Sequence, residues 1–175
     1  MNLRERLSER LSKKDICEMA RNMQTDGIKE ELYQLTLDND RRVALQALWV
    51  FQHFDNSNNE WLYCKHRELT DRVIVEKNVA KQRHLLSLLL RQPMEEENLR
   101  SDFLDFCLAN ITAYSQPYAV RAQCIKLAYE QCKFFPELLD ELKATLDMLA
   151  QEPLSPGLAS ARLQIMKKIK RKNKK

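Results

Sequence analysis

Four arginines recur along the chain at a nearly constant interval, and this spacing limits the fold more than any other feature. Arg42, Arg83, Arg121 and Arg162 are separated by about 41, 38 and 41 residues. Each is followed by apolar residues three and seven positions later, as on one face of a helix. A unit of about 40 residues is the length of two stacked helices. The spacing therefore predicts an all-α chain built from repeated helix pairs.

The segment "QPYAVRAQCIKLAYEQC" (residues 116–132) places a permanent charge within an apolar helix face. On a helix with about 100° per residue, Arg121 lies on the same side as Cys124 and Ala128, while Lys126 lies opposite. Such an arginine lays its stem across apolar neighbours and sends its guanidinium to a carboxylate or an open carbonyl. Two interpretations follow: an internal row of arginines that ties one helix pair to the next, or a row that faces a ligand on a concave surface.

The breaks between apolar segments predict where the helices lie. The chain has only two glycines, so tight hairpin turns are scarce. Three of its five prolines stand where a helix would begin, the position at which proline is best tolerated. We predict ten helices, at residues 2–12, 14–23, 27–37, 40–54, 58–75, 78–91, 98–112, 117–133, 136–150 and 156–171.

Several segments resemble a known repeat. "NDRRVALQALWVF" (39–51) and "YAVRAQCIKLA" (118–128) look like the second helix of a HEAT repeat, which typically carries Val-Arg followed by small and apolar residues. More closely, "ALWVFQHF" (47–54), "YAVRAQCIKLA" and "SPGLASARLQIMKKIK" (155–170) are similar to those of short bacterial HEAT-like proteins of unassigned activity. Some of those carry the name adenylosuccinate lyase, but the serine-rich loop of that enzyme has no counterpart in this chain.

The resemblance covers roughly residues 26–172 and implies a right-handed α-solenoid of HEAT/armadillo-like helix pairs. We expect a single domain over residues 1–175. Within it, residues 1–25 form an N-terminal helical cap, 26–166 form about four helix pairs, and 167–175 form a basic tail. Neighbouring helices should pack antiparallel, because the connections are short.

The C-terminal segment "KKIKRKNKK" (167–175) holds seven basic residues and no acid. Without these seven, 22 of the 29 lysines and arginines remain against 25 acids, so the rest of the chain is mildly acidic. A basic tail attracts phosphate backbones or acidic protein surfaces. The alternative is a solvated helix end whose positive charge suits the negative pole of the helix dipole.

The sequence offers no constellation typical of an enzyme. The three histidines, His53, His66 and His84, are dispersed, with no nucleophile identifiable beside them. Cys64 and His66 point to opposite sides of a helix, and no second cluster completes four zinc ligands. We therefore expect no catalytic residue, no cofactor and no metal.

The expected location is the cytoplasm, with no membrane association. The charged N-terminal segment contains no apolar core of a secretory signal, and no apolar run approaches the roughly 20 residues that span a bilayer. The five cysteines are odd in number and lie within helical patterns, which predicts reduced, buried thiols.

We predict a non-catalytic module that holds a protein or peptide on the surface formed by the second helices. The oligomeric state is left open. The candidate binding residues are the periodic arginines and the basic tail: Arg42, Arg83, Arg121, Arg162, Lys167, Lys168, Lys170, Arg171 and Lys172.

Nucleic-acid binding through the same residues is the alternative, with repair as one context. Alkylpurine DNA glycosylases of the HEAT-like class use Trp, Asp and Arg on a concave face. The corresponding candidates in this chain are Trp49, Trp61, Asp102 or Asp105, and Arg121. Salt dependence separates the two functions, because phosphate contacts release counterions and an apolar peptide groove does not.

Overall fold

The chain is almost entirely helical. The computed structural model describes all residues from 1 to 175, of which 74% are helical and none form a strand. This confirms the all-α prediction. The α-helices are α1 (Leu3–Ser8), α2 (Lys13–Asn22), α3 (Asp26–Leu35), α4 (Arg41–Gln52), α5 (Asn56–Asn59), α6 (His66–Val75), α7 (Val79–Leu90), α8 (Ser101–Ile111), α9 (Tyr118–Cys132), α10 (Pro136–Leu149) and α11 (Pro156–Lys172).

Side-chain caps explain where several helices begin. The Asp40 carboxylate accepts hydrogen bonds from the first backbone N–H groups of α4, and the Ser155 hydroxyl accepts one at the start of α11. Such caps satisfy donors that have no partner within the helix. Pro136 and Pro156 occupy the first positions of α10 and α11.

The predicted continuous helix over 58–75 is wrong. The Asp55 carboxylate caps an earlier start, and the short helix α5 leads into a 3₁₀ helix at Glu60–Lys65 before α6 begins. The tighter 3₁₀ winding rotates successive side chains differently from an α-helix. Within this segment the Trp61 ring stacks on Phe51, with centroids 6.1 Å apart.

The predicted helix over 2–12 is also too long, because α1 ends at Ser8. Ser12 and Asp15 form a reciprocal capping box at the start of α2, and this box holds Ser12 in an extended conformation. The chain must therefore leave the helix before Ser12. A second 3₁₀ turn, at Glu96–Asn98, precedes α8.

The helices group into two compact units, Met1–Gln92 and Pro93–Lys175. The assignment of one domain to the whole chain stays a prediction. In the first unit, α4 packs against α1, α2, α3 and α7. Arg91 follows the last residue of α7 and reaches the end of α4, so α4 and α7 run in the same direction.

In the second unit, α9 packs against α8, α10 and α11. Arg121 near the start of α9 meets Glu152 just before α11, and Tyr129 near the end of α9 meets Lys168 near the end of α11. Helices α9 and α11 therefore run side by side in the same direction. Each unit thus places the second helices of two successive pairs next to each other, as stacked helical repeats do. No helix in the chain combines the length and the apolar character needed to cross a membrane.

Candidate functional site

Arg121, the arginine on the apolar face, binds the end of the preceding helix. Its side chain is 3% exposed, and its Nε donates a 2.9 Å hydrogen bond to the carbonyl of Ile111, the last residue of α8. The last carbonyls of a helix lack intrahelical partners and form the negative pole of its dipole, so a cation stabilises them. Of the two interpretations of Arg121, this burial and this bond to a neighbouring helix match the internal row rather than the ligand-facing row.

The same guanidinium also links α9 to the next helix pair. Its Nη2 lies 3.9 Å from a carboxylate oxygen of Glu152, in the connection before α11, although no hydrogen bond forms at that nitrogen. The guanidinium carbon lies 5.5 Å from the centroid of the Tyr114 ring. Arg121 is therefore enclosed by protein groups and does not face a ligand surface.

Two more of the periodic arginines bind helix ends. The Nε of Arg162 donates a 2.7 Å hydrogen bond to the carbonyl of Leu146 in the last turn of α10, and its Nη2 lies 3.5 Å from Asp147. Arg42 donates a 3.2 Å hydrogen bond to the carbonyl of Ser8, the last residue of α1, although its side chain is exposed. Three of the four arginines thus meet carbonyls near the end of an earlier helix.

At the fourth position the helix end is bound by Gln82, the residue before Arg83. The buried Gln82 amide lies 3.3 Å from the carbonyls of both Val73 and Glu76 at the end of α6. Gln82 is the fourth residue of α7, and Arg121 is the fourth residue of α9. The hydrogen bonds at this helix end therefore come from Gln82, while Arg83 is exposed.

Arg91, which lies outside the periodic pattern, makes the largest set of such contacts. It lies just after α7 and donates to three carbonyls around the end of α4: Phe51 at 3.2 Å, Gln52 at 2.9 Å and Phe54 at 2.5 Å. Burial lowers the pKa of Arg91, although its positive charge faces the negative pole of α4. The sequence pattern does not identify Arg91, because this residue lies after the helix and outside the 40-residue spacing.

Gln46 and Arg72 also bind helix ends, although the 40-residue pattern does not identify them. The Gln46 amide donates 2.6 Å hydrogen bonds to the carbonyls of Leu7 and Glu9 after α1. Arg72 donates to the Thr36 carbonyl at 3.2 Å, just after α3. Both are long polar residues, and Gln46 is only 9% exposed. A long polar residue on an apolar helix face is therefore the sequence signal that could have identified such helix-end contacts.

His84, beside this network, is predicted to make stability depend on pH. Its Nδ1 meets the side-chain amide of Gln52, and burial, with the nearby Arg83, lowers its pKa from 6.5 to about 4. The unfolded chain therefore binds more protons than the folded chain between these values. Stability should fall as the pH is lowered from about 6.5 towards 4. In acid-induced unfolding, the His84→Gln variant should lose part of this dependence, and an identical pH profile would contradict the assignment.

A basic groove lies where α9 and α11 end. This C-terminal groove has a volume of about 340 Å³ and is lined by Tyr129, Glu130, Lys133, Lys168, Arg171, Lys172 and Lys175. Arg171, Lys172 and Lys175 follow Lys168 by three, four and seven positions. Residues at this spacing lie on one face of a helix, so the four side chains share one side of the last turns of the chain. Three predicted tail residues, Lys168, Arg171 and Lys172, thus come together, whereas Lys167 and Lys170 do not line the groove.

The charges in the C-terminal groove are strongly unequal. It holds five cations and one acid, Glu130, whose carboxylate already accepts a 2.6 Å bond from Lys133. The Lys168 ammonium lies 5.3 Å from the centroid of the Tyr129 ring, which holds one cation in place. The sequence alone does not indicate that Lys133 and Tyr129 join the basic tail, because they precede it by about one helix pair.

Three of the residues suggested by the glycosylase comparison are engaged within their own units. Asp102 accepts a 2.7 Å bond from Arg100, Arg121 is buried, and Trp61 stacks in the aromatic core of the first unit. All five cysteines are free thiols, but the prediction of buried thiols is wrong for Cys64, which is exposed. The structure contains no cluster of three or more His, Cys, Asp or Glu side chains that could hold a metal ion.

The chain matches a protein-family model described as a HEAT repeat domain over residues 3–169. The chain has no match among the curated proteins or among the solved structures. The family model covers nearly the whole chain and most of both units. The chain therefore belongs to the HEAT repeat family.

Proposed function

We propose that this chain is a non-catalytic binding module that holds an acidic segment of a partner protein in its C-terminal groove. HEAT repeats are generally protein-interaction scaffolds. The observation that carries the proposal is the excess of positive charge in a groove between two adjacent second helices. A cytoplasmic location belongs to the same proposal and agrees with the five free thiols.

The charge in the groove exceeds what the helix ends require. Five cations and one acid leave four positive charges. The C-terminal ends of α9 and α11 each contribute about half a negative charge, so roughly three positive charges remain. An acidic peptide supplies the missing carboxylates, and such complementarity favours both encounter and specificity.

An acidic peptide fits this groove better than a nucleic acid does. The Tyr129 ring is 9% exposed and lies under the Lys168 ammonium, so it offers no open face on which a base could stack. Arg121 and Arg162 bind backbone carbonyls instead of lining a phosphate track. Nucleic-acid binding stays the second candidate function, because the 167–175 segment concentrates seven basic residues.

Two matched double variants of the full chain test this function. In the first, Arg171→Gln and Lys172→Gln remove two groove cations; in the second, Lys167→Gln and Lys170→Gln remove two exposed cations outside it. The probe is a fluorescent dodecapeptide rich in Asp and Glu, read by anisotropy. Exposed ion pairs contribute about 0.2–1 kcal/mol each, so the groove variant should bind about two- to thirtyfold more weakly. The outer variant should retain nearly full affinity.

A single-stranded oligonucleotide of equal charge provides the comparison. Equal loss of peptide binding in both double variants would show non-specific attraction and overturn the groove. Tighter binding of the oligonucleotide, with affinity falling steeply in log–log plots against salt, would move nucleic-acid binding into first place.

Truncation after Met166 separates binding from folding. The removed segment buries one apolar side chain, Ile169, at 1% exposure. The loss in unfolding free energy should therefore not exceed about 1.5–3 kcal/mol, while peptide binding disappears. Urea unfolding measures the first effect. A larger loss of stability would show that the tail is principally a structural element.

A further inference from the structure

A second basic cavity lies in the first unit, beside the start of α4. It has a volume of about 690 Å³ and is lined by Arg10, Asp40, Arg41, Arg42, Leu45 and Gln46. Arg10 comes from the connection between α1 and α2, whereas Arg41 and Arg42 open α4. Three arginines from two separate segments therefore line one cavity.

The acids closest in sequence to these arginines have other partners. Glu9 and Asp15 pair with Arg6. Asp38 accepts two hydrogen bonds from Arg4, at 2.7 and 3.0 Å. These carboxylates are therefore already engaged by other arginines.

Asp40, the one acid that lines the cavity, is also occupied. Its carboxylate caps α4 and accepts hydrogen bonds from the backbone N–H groups of Arg42 at 2.8 Å and Val43 at 3.4 Å. The side chains of Arg10 and Arg41 make no hydrogen bond or ion pair with the protein, and Arg42 makes one, to the Ser8 carbonyl. The cavity thus holds guanidinium donors that the fold does not use.

The position of these charges is unfavourable for the isolated chain. Arg41 and Arg42 stand in the first turn of α4, at the positive pole of its dipole, where cations are disfavoured. Arg10 adds a third cation at the same place. This differs from Arg121 and Arg162, which meet negative helix ends. An anion bound in the cavity would relieve the repulsion.

Gln46 fixes the backbone on both sides of Arg10. Its amide nitrogen donates a 2.6 Å hydrogen bond to the Glu9 carbonyl, and its amide oxygen accepts a 3.0 Å bond from the Leu11 N–H. Arg10 is therefore anchored to the same helix that carries Arg41, before any ligand binds. Such preorganisation lowers the entropic cost of binding.

We propose that this cavity binds a phosphoryl group carried on a serine of a partner protein. Three arginines and Asp40 give the cavity a charge of +2, and a phosphorylated side chain carries about −1.5 to −2 at neutral pH. Guanidinium forks match phosphate oxygens in a bidentate manner. The half-buried Leu45 provides apolar contact for the attached peptide. The cavity lies in the first unit, whereas the residues that line the C-terminal groove belong to the second.

A degenerate dodecapeptide library with one fixed central phosphoserine is the probe, and the same library with serine or with Glu-Glu at the centre is the comparison. Full-length Arg10→Gln and Arg41→Gln variants are measured beside Arg21→Gln, which removes another exposed arginine, in α2 and away from the cavity. Hydrogen bonds to charged groups contribute about 1.5–3 kcal/mol, so each cavity variant should weaken phosphopeptide binding at least about tenfold. The Arg21→Gln variant should bind normally, and all three should melt like the parent chain.

Four results would overturn the proposal. The serine or the Glu-Glu library binding as tightly as the phosphoserine library would exclude phosphoryl recognition. Equal losses in Arg10→Gln and Arg21→Gln would show general electrostatic attraction. Inorganic phosphate binding as tightly as the phosphopeptide would assign the cavity to the free anion. An oligonucleotide that binds more tightly and loses affinity in the cavity variants would assign it to nucleic acid.

Discussion

Replacing Arg121 by alanine is expected to lower the free energy of unfolding by about 2–4 kcal/mol, because a buried acceptor loses its partner and the packing of the stem is lost. The acceptor is the Ile111 carbonyl at the end of α8, and the nearby Glu152 carboxylate also loses its cation. Urea unfolding followed by circular dichroism measures the loss.

The Arg121→Leu variant separates the two contributions to this loss. Leucine restores apolar packing beside Cys124 and Ala128 without restoring the hydrogen bond, so it should be less destabilising than alanine. If both variants unfold like the parent chain, Arg121 does not hold the helix end, and a ligand-facing role becomes the better explanation.

Arg91→Ala is expected to have an effect of similar size, about 2–4 kcal/mol, because hydrogen bonds from charged donors are stronger than neutral ones. The side chain donates to three carbonyls at the end of α4, and alanine leaves all three without this donor. Helix α4 is the central helix of the first unit, so fraying at its end should spread to α7. The measurement is again urea unfolding.

Two further variants serve as controls for Arg91. Arg91→Lys keeps the charge but replaces the planar fork with a compact ammonium, so its loss should be intermediate. Arg67→Ala removes an exposed arginine of α6 and should change the free energy of unfolding by less than about 0.5 kcal/mol. Equal effects of Arg67→Ala and Arg91→Ala would refute a specific role at the helix end.

The helix pairs could be predicted from the sequence because their signals are local. Apolar faces repeat with the helical period, and Asp40 and Ser155 mark helix starts. The spacing of the arginines gave the length of the unit. The register within the unit depends on tertiary contacts, so the pattern selected Arg83 where the structure uses Gln82. An amide and a guanidinium both donate to carbonyls, and a search for one residue type misses the other.

The basic cavities could be predicted only in part. The tail was evident as a run of charge, but its partners Tyr129 and Lys133 come from another helix. Arg10 joins Arg41 because Gln46 bonds the backbone on both sides of it, a contact between residues about 35 positions apart. Only the folded chain brings such residues together.

The exchange of arginine Nε–H protons, followed by ¹⁵N NMR, tests the central claim that Arg121 and Arg162 hold helix ends while the cations of the two basic cavities are open to partners. Arg121 and Arg162 both donate through Nε to backbone carbonyls, so these two protons should exchange slowly with solvent. The exposed Arg10 and Arg41 should exchange rapidly. Exchange of the Arg121 proton as fast as that of Arg10 would contradict the account.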